Sequence, residues 1–249
     1  MNVGVIDLGR TGAAIARRLL ASGRPCVVYD TSPRTVAEIA AERAHGAASI
    51  PDLVHELDAP RVIWVTGPAS DIDATIAELR PHVEQDDVIV VCGSSDYADD
   101  TRRAAELAGL HVHYVDVGLC GEMGRPGATY CLMVGGEECV VRSLAPILEA
   151  LASPRGYLHC GPVGAGHFIT MIHDGIERRL MAAYTEGFRM LRTASTAWTD
   201  RGPDYEFNLP EIVDVWRRGA PVASPVMDKA ACEQAAAHEA SRGLPEMHR

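Results

Sequence analysis

The stretch that decides the fold is Asn2-Val3-Gly4-Val5-Ile6-Asp7-Leu8-Gly9-Arg10-Thr11-Gly12. Its first half is a short, nearly uninterrupted apolar run, the pattern of a strand buried on both faces of a parallel sheet. The glycines at 9 and 12 then open a helical pattern over Gly12–Ser22. This is the GxGxxG arrangement of a strand–turn–helix phosphate cradle, with Asp7 standing where the first glycine belongs. Gly9 lets backbone approach a diphosphate, Gly12 lets the helix pack on the strand, and the unpaired N–H groups at the helix start bind the anion. An aspartate in that turn either repels the phosphates or turns toward solvent, and a domain that has given up nucleotide binding is the competing reading.

Outward from this turn, strands and helices alternate. Pro25–Asp30, Arg61–Thr66, Asp87–Cys92 and His111–Val117 read as strands, and Pro33–Ala44, Ile72–Arg80 and Asp99–Ala108 as helices. Such alternation predicts an α/β fold, a Rossmann doubly wound sheet. Tyr130–Val134, Glu138–Leu151 and Tyr157–His159 add two short strands and a helix. From Ala165 to about Ala194 there is no proline, so one long helix is expected, a spine between domains. Thr199–Asn208 reads as a loop, and Pro210–Arg218 and Val226–Ser241 as helices. The expected organisation is a dinucleotide-binding domain over 1–162 and a small all-α substrate and dimerisation domain over 163–249. So few helices bury little by themselves, which predicts a homodimer through the helical domain.

Asp30 ends the second strand, 21 residues after Gly9, where a carboxylate accepts bonds from a ribose 2′-hydroxyl and repels a 2′-phosphate. That favours NAD over NADP, although Arg34 stands close enough to complicate the choice. The expected cofactor contacts are Leu8, Gly9, Arg10, Thr11, Asp30, Thr31, Arg34, Gly67, Pro68 and Ser94, the last three after the next two strands.

Composition narrows the classes. The 249 residues are 47% hydrophobic and 23% charged, with 23 Lys+Arg against 34 Asp+Glu and a net charge of −11. An acidic chain lacks the basic footprint of a nucleic-acid binder. No apolar run is long enough for a membrane helix, and the N-terminus has no signal-peptide pattern. Seven scattered cysteines without a CxxC point to reduced thiols and a cytoplasmic protein. His111 and His113 alternate along a strand, but without a third ligand they predict no metal site.

Several motifs in order now carry a resemblance: VVYD (Val27–Asp30), HYVDVG (His113–Gly118), YCLMVGG (Tyr130–Gly136), YLHCGPVGAGHF (Tyr157–Phe168), HDGIE (His173–Glu177) and VWRRG (Val215–Gly219). From Met1 to about Asp228 the chain resembles the 6-phosphogluconate dehydrogenase family, in its short NAD-type bacterial form, within the β-hydroxyacid dehydrogenases. The resemblance implies an acidic sugar phosphate as substrate, a helix lysine that takes the hydroxyl proton, and a glutamate acting later as acid. Here the lysine position is Thr170, and a hydroxyl cannot do that work near neutral pH. The family asparagine is Asp174, while His173 and the acid Glu177 match; Arg178 replaces a tyrosine. The substrate-binding Ser-Gly-Gly is Cys120-Gly121-Glu122, and the asparagine after the fourth strand is Ser94. Because the chain stops at Arg249, the family's C-terminal tail is expected to be mostly missing.

The residues also speak for themselves. Thr170, His173, Asp174 and Glu177 fall at i, i+3, i+4 and i+7, one helix face suited to proton transfer. The bland alternative is a solvated face paired with Arg178 and Arg179. Cys120 either serves as a nucleophile or merely lines the pocket. Glu122 opposes an anionic ligand, and with Asp174 it points to a neutral or cationic small molecule. The leading expectation is a divergent NAD-dependent enzyme acting on a hydroxylated, sugar-like substrate, without the standard oxidative decarboxylation. The alternatives are a dehydratase or epimerase of a sugar or nucleoside that stores a hydride transiently on bound NAD, an imine or ketone reductase, and a nucleotide-binding pseudoenzyme.

Overall fold

The computed structural model describes residues 3–93, 95–121, 130–197 and 207–242; at 194–197 and 234–242 it describes the backbone only. The chain divides into two compact units, Met1–Ile172 and His173–Arg249. The dividing line falls inside a helix.

The first unit carries β1 (Val3–Ile6), α1 (Arg10–Ala21), β2 (Cys26–Tyr29), α2 (Pro33–Ala40), β3 (His45–Gly46), α3 (Ile50–His55), β4 (Val62–Val65) and α4 (Ala69–Leu79). It continues through β5 (Val88–Cys92), α5 (Tyr97–Ala108), β6 (His113–Gly121), β7 (Tyr130–Gly135), α6 (Glu138–Ser143), α7 (Ala145–Leu151) and β8 (Tyr157–Gly161). The strands form one sheet in the order β3-β2-β1-β4-β5-β6-β7-β8. Every neighbouring pair is parallel except β6 with β7. Val5 sits between Val28 of β2 and Trp64 of β4, so the strand order reverses at β1 and β4. In a doubly wound sheet that switch point opens the ligand crevice.

Period-2 alternation sends one set of side chains to each face of the sheet. Val3, Val5, Val28, Trp64 and Val90 pack with Ile15, Leu19 and Leu148, which belong to α1 and α7. Ile63, Val65, Ile89 and Tyr114 pack on the other face with Leu53, Ile72 and Leu107, from α3, α4 and α5. Both faces are covered, as the near-continuous Val/Ile runs of the strands require.

Four local differences from the sequence expectation have physical reasons. β3 and α3 were not anticipated: β3 pairs only two residues with β2, and α3 is one short turn system capped by Ser49, whose side chain accepts the Asp52 N–H. The expected single helix Glu138–Leu151 is two, because Pro146 in the first turn of α7 cannot continue the hydrogen-bonding of α6. The strand expected from His111 starts at His113; His111 lies in a turn at φ +57°, so the two histidines do not alternate along a strand. β6 also runs on to Gly121, pairing antiparallel with β7 from Asp116↔Gly135 to Gly121↔Tyr130.

α8 (Ala165–Ala197) is one unbroken helix that leaves the first unit after Ile172. The second unit adds α9 (Leu209–Gly219) and α10 (Pro225–Arg242). Among the described residues, its core holds Phe188, Val213, Met227 and Ala230, with the Phe188 ring stacked between Tyr184 and Trp216 at centroid distances of 6.2 and 6.3 Å. The Tyr184 hydroxyl donates to Val222 O at 2.6 Å and so ties α8 to the turn before α10. Among the described residues, no helix is long and apolar enough to cross a membrane.

Candidate cofactor and substrate site

The turn between β1 and α1 forms although its first glycine is replaced. Asp7 adopts φ +69°, a left-handed conformation that aspartate tolerates better than most residues because its short side chain bonds locally. Its N–H donates to Tyr29 O at 3.0 Å. Its carbonyl accepts the Thr66 hydroxyl at 2.7 Å. A Cβ on Gly12 would lie 1.9 Å from that same carbonyl oxygen, so the close helix–strand approach demands glycine there. A Cβ on Gly9 would meet only the Asp7 Oδ1, at 3.1 Å, leaving the approach to the helix end otherwise open.

The carboxylate of Asp7 does not turn into solvent. Its Oδ1 accepts the Gly9 N–H at 2.9 Å, and its Oδ2 lies 2.9 Å from where a Cβ on Gly67 would stand. It therefore crosses the switch point from the start of α1 to the end of β4. Helix geometry leaves the N–H groups of Arg10, Thr11 and Gly12 without intrahelical acceptors. The cradle fits a diphosphate in its glycines and its helix start, and departs from one where the Gly9 amide already holds a carboxylate.

Asp30 reaches back to the same turn. Its Oδ2 accepts the Leu8 N–H at 2.7 Å, and its Oδ1 accepts the Ser32 N–H at 2.7 Å. Each oxygen retains a lone pair for a ribose hydroxyl. Leu8 itself is buried, so it offers only backbone. Arg34 pairs along its own helix with Glu38 at 3.0 Å. Arg10, Thr31 and Pro68 are exposed around the crevice and Thr11 and Gly67 half-buried, whereas Ser94 lies outside the described residues.

The start of α8 packs hard on β6. A Cβ on Gly118 would fall 1.9 Å from the Thr170 Oγ1, and a Cβ on Gly166 would fall 2.3 Å from Met133 O. Thr170 is buried, with its hydroxyl 3.8 Å from the Cys120 thiol, itself buried. Thr170 and Cys120 are thus brought together as a packed pair. Gly121 ends β6 at φ +115°; Glu122 lies outside the described residues.

A buried polar cluster fixes that same turn. Asp116 accepts the N–H groups of Gly164 at 2.6 Å and His167 at 2.9 Å. Burial pushes the Asp116 carboxyl above its usual range, and the two backbone donors pull partly against that. His167 Nδ1 meets Asp100 at 2.6 Å, and the Tyr114 hydroxyl donates to Asp100 at 2.7 Å. These contacts explain the GPVGAGH sequence as an anchor for α8.

In the second unit, α8 and α10 flank an open cavity of about 300 Å³ lined by Asp174, Glu177, Arg178, Met181, Lys229 and Glu233. Glu177 pairs with Lys229 at 3.5 Å, and His173 Nδ1 lies 3.5 Å from Asp174. The alternative of a face paired with Arg178 and Arg179 finds no support among the described contacts; Arg179 donates to Gly175 O of its own helix at 3.1 Å. Carboxylates and cations in one small cavity can accept from and donate to the hydroxyls of one ligand.

Residues 2–164 match the model of the NAD-binding domain of 6-phosphogluconate dehydrogenase. The chain belongs to the 6-phosphogluconate dehydrogenase family. Its first part is therefore an NAD-binding domain, and the chain is a member of a family of NAD(P)-dependent oxidoreductases. An NAD(+)-dependent, decarboxylating 6-phosphogluconate dehydrogenase of Haloferax volcanii is 36% identical over 246 residues, covering 97% of this chain and 77% of that one. The Bacillus subtilis protein YqeC, named as a putative 6-phosphogluconate dehydrogenase, is 32% identical over 91% of this chain and 73% of its own. Solved structures share the fold. Plasmodium falciparum 6-phosphogluconate dehydrogenase matches with a TM-score of 0.77 at 20% identity over 93% of this chain and 50% of that one. A Pseudomonas imine reductase matches with 0.70 at 20% identity over 96% and 78%.

Lys229 is the residue that the sequence reading missed. It is the sole lysine of the 249-residue chain, a signal visible in composition alone. Only the packing of α10 against α8 shows what it stands beside.

Proposed function

We propose that this member of the family is an NAD-dependent dehydrogenase acting on a small hydroxylated, sugar-like molecule, with its proton chemistry in the α8–α10 cavity. The observation that carries the reading is the Glu177–Lys229 pair at 3.5 Å in a cavity that Asp174 also lines. Bound NAD supplies a hydride acceptor. The backbone N–H groups of Arg10 and Thr11 would hold its phosphates and Asp30 its adenosine ribose, while the Gly9 N–H is engaged by Asp7.

Glu177 accepts the proton of the reacting hydroxyl, and Asp174 holds a neighbouring hydroxyl. The Lys229 ammonium steadies the oxygen as negative charge grows on it. Thr170 takes no part, because its hydroxyl is packed against Gly118 and Cys120. Three carboxylates against two cations along the wall disfavour a doubly charged sugar phosphate, which supports a neutral substrate.

The test is spectroscopic. Purified protein is screened for co-purifying NAD and for thermal stabilisation by NAD and NADP, then assayed at 340 nm with a panel of polyols and sugar acids. Net absorbance change supports a dehydrogenase. Product formed without it redirects the reading to elimination or epimerisation. No stabilisation by either nucleotide overturns it.

We also propose a homodimer through the helical unit. Support comes from the exposed apolar side chains Ile176, Leu180 and Met190 on α8 and Val215 on α9, the kind of surface that a second copy covers. Light scattering on the purified chain tests it; a monomer across micromolar concentrations removes the proposal.

A further inference from the structure

The sequence left the role of Asp7 open between repulsion and indifference. Its geometry is now specific. The Gly9 amide, which belongs to the anion-binding start of α1, donates to the Asp7 carboxylate at 2.9 Å. The second carboxylate oxygen faces Gly67 across the crevice, 2.9 Å from that residue's Cβ position. The backbone around it is held from three sides, by Tyr29 O, by the Thr66 hydroxyl and by the tight passage of Gly12. A charged group is thus fixed in the space that the glycines of 9, 12 and 67 keep clear.

We propose that the Asp7 carboxylate is a built-in occupant of the diphosphate cradle and sets the affinity of the cofactor site. The inference rests on the NAD-binding reading of the first unit. A dinucleotide approaching α1 meets the Gly9 N–H already engaged and a like charge in its path. Binding requires the carboxylate to rotate off the amide, and the rotated carboxylate still repels the phosphates. The site thereby discriminates against every ligand with phosphate in this position, and not against the adenosine half. Asn keeps an oxygen for Gly9 and removes the charge. Gly suits φ +69° and removes the side chain altogether.

The experiment is calorimetric titration of the whole chain, as wild type, Asp7→Asn and Asp7→Gly, with NAD and with adenosine, at low and high salt. Asp7→Asn should bind NAD on the order of tenfold more tightly than wild type at low salt, and Asp7→Gly at least as tightly as Asp7→Asn. The gap should narrow at high salt, because counter-ions screen the repulsion. Adenosine affinity should be unchanged in all three. Equal NAD affinity in wild type and both variants overturns the proposal, and so does weaker binding by Asp7→Asn, which would make the charge a requirement of the site. If none of the three binds NAD, the NAD-binding reading itself fails and takes the inference with it; unequal binding with the wrong sign strikes the inference alone.

Discussion

His167 at the start of α8 and Asp100 on α5 meet at 2.6 Å, both wholly withdrawn from water. Asp100 also takes the Tyr114 hydroxyl, and Asp116 takes two backbone N–H groups of the turn into α8. The first turn of α8 is therefore held in the first unit by buried polar contacts as well as by apolar packing. Removing Asp100 as Asp100→Ala strands a buried imidazole and a buried phenol. It should destabilise the first unit by about 3 kcal/mol, read as a lower midpoint in urea with the slope unchanged.

Arg103 and Asp73 give a pH-dependent contact. The Arg103 guanidinium, buried, donates to the half-exposed Asp73 at 2.6 Å and holds its carboxyl below the usual carboxylate range; burial opposes this and Arg102 assists. A carboxyl lowered on folding stabilises the fold above its unfolded value, near 3.9. That stability is lost as pH falls through the lower folded value. Asp73→Asn should flatten this acid limb of stability against pH and lower stability modestly at pH 7, because the buried Arg103 loses a charged partner but keeps the Ser95 hydroxyl.

The cavity predicts a separation of binding from turnover. Glu177→Gln should lower kcat on the order of 10²-fold or more, as loss of a positioned base does, with NAD affinity unchanged. Lys229→Met should lower it about tenfold and Lys229→Arg less, because the charge survives. Full turnover in Glu177→Gln would move the chemistry out of this cavity.

Restoring a lysine to α8 should fail for a steric reason. Thr170→Lys places four methylenes where Gly118 and Cys120 already touch the threonine. Overpacking of this kind costs about 1–3 kcal/mol. We expect a lowered Tm and no gain of 6-phosphogluconate oxidation; a stable, active Thr170→Lys would contradict the packed geometry.

Gly12→Ala is the matching test at the cofactor turn. The added methyl meets the Asp7 carbonyl oxygen at 1.9 Å and the Thr66 hydroxyl at 2.6 Å, so α1 must shift. NAD stabilisation in a thermal-shift titration should disappear.

The sheet was legible because its strands are continuous apolar runs and because Gly9 and Gly12 bracket the first turn. β3 was not, since two residues carry no period. α3 was written in Ser49-Ile50-Pro51-Asp52, a cap followed by proline at the helix start, but its six residues are too few for an amphipathic pattern. The face of Thr170, His173, Asp174 and Glu177 was read from spacing, yet packing divides it. Thr170 is sealed against β6, whereas Asp174 and Glu177 line a cavity. The alternative pairing of this face with Arg178 and Arg179 is poor for Glu177 on helix geometry, because residues one and two positions apart do not face each other. Its actual partner is 52 positions away on another helix, a proximity that no local pattern encodes.

The solitary ε-amine has a practical side. A reagent directed at lysine side chains has one address in this chain, Lys229, 3.5 Å from Glu177. An isotopically labelled methyl attached there yields one ε-amine signal, distinct in chemical shift from a methylated α-amine, free of the averaging that many labelled lysines impose. The occupant of the α8–α10 cavity can then be sought by fishing through metabolite mixtures for whatever shifts that signal, before any reaction has been found.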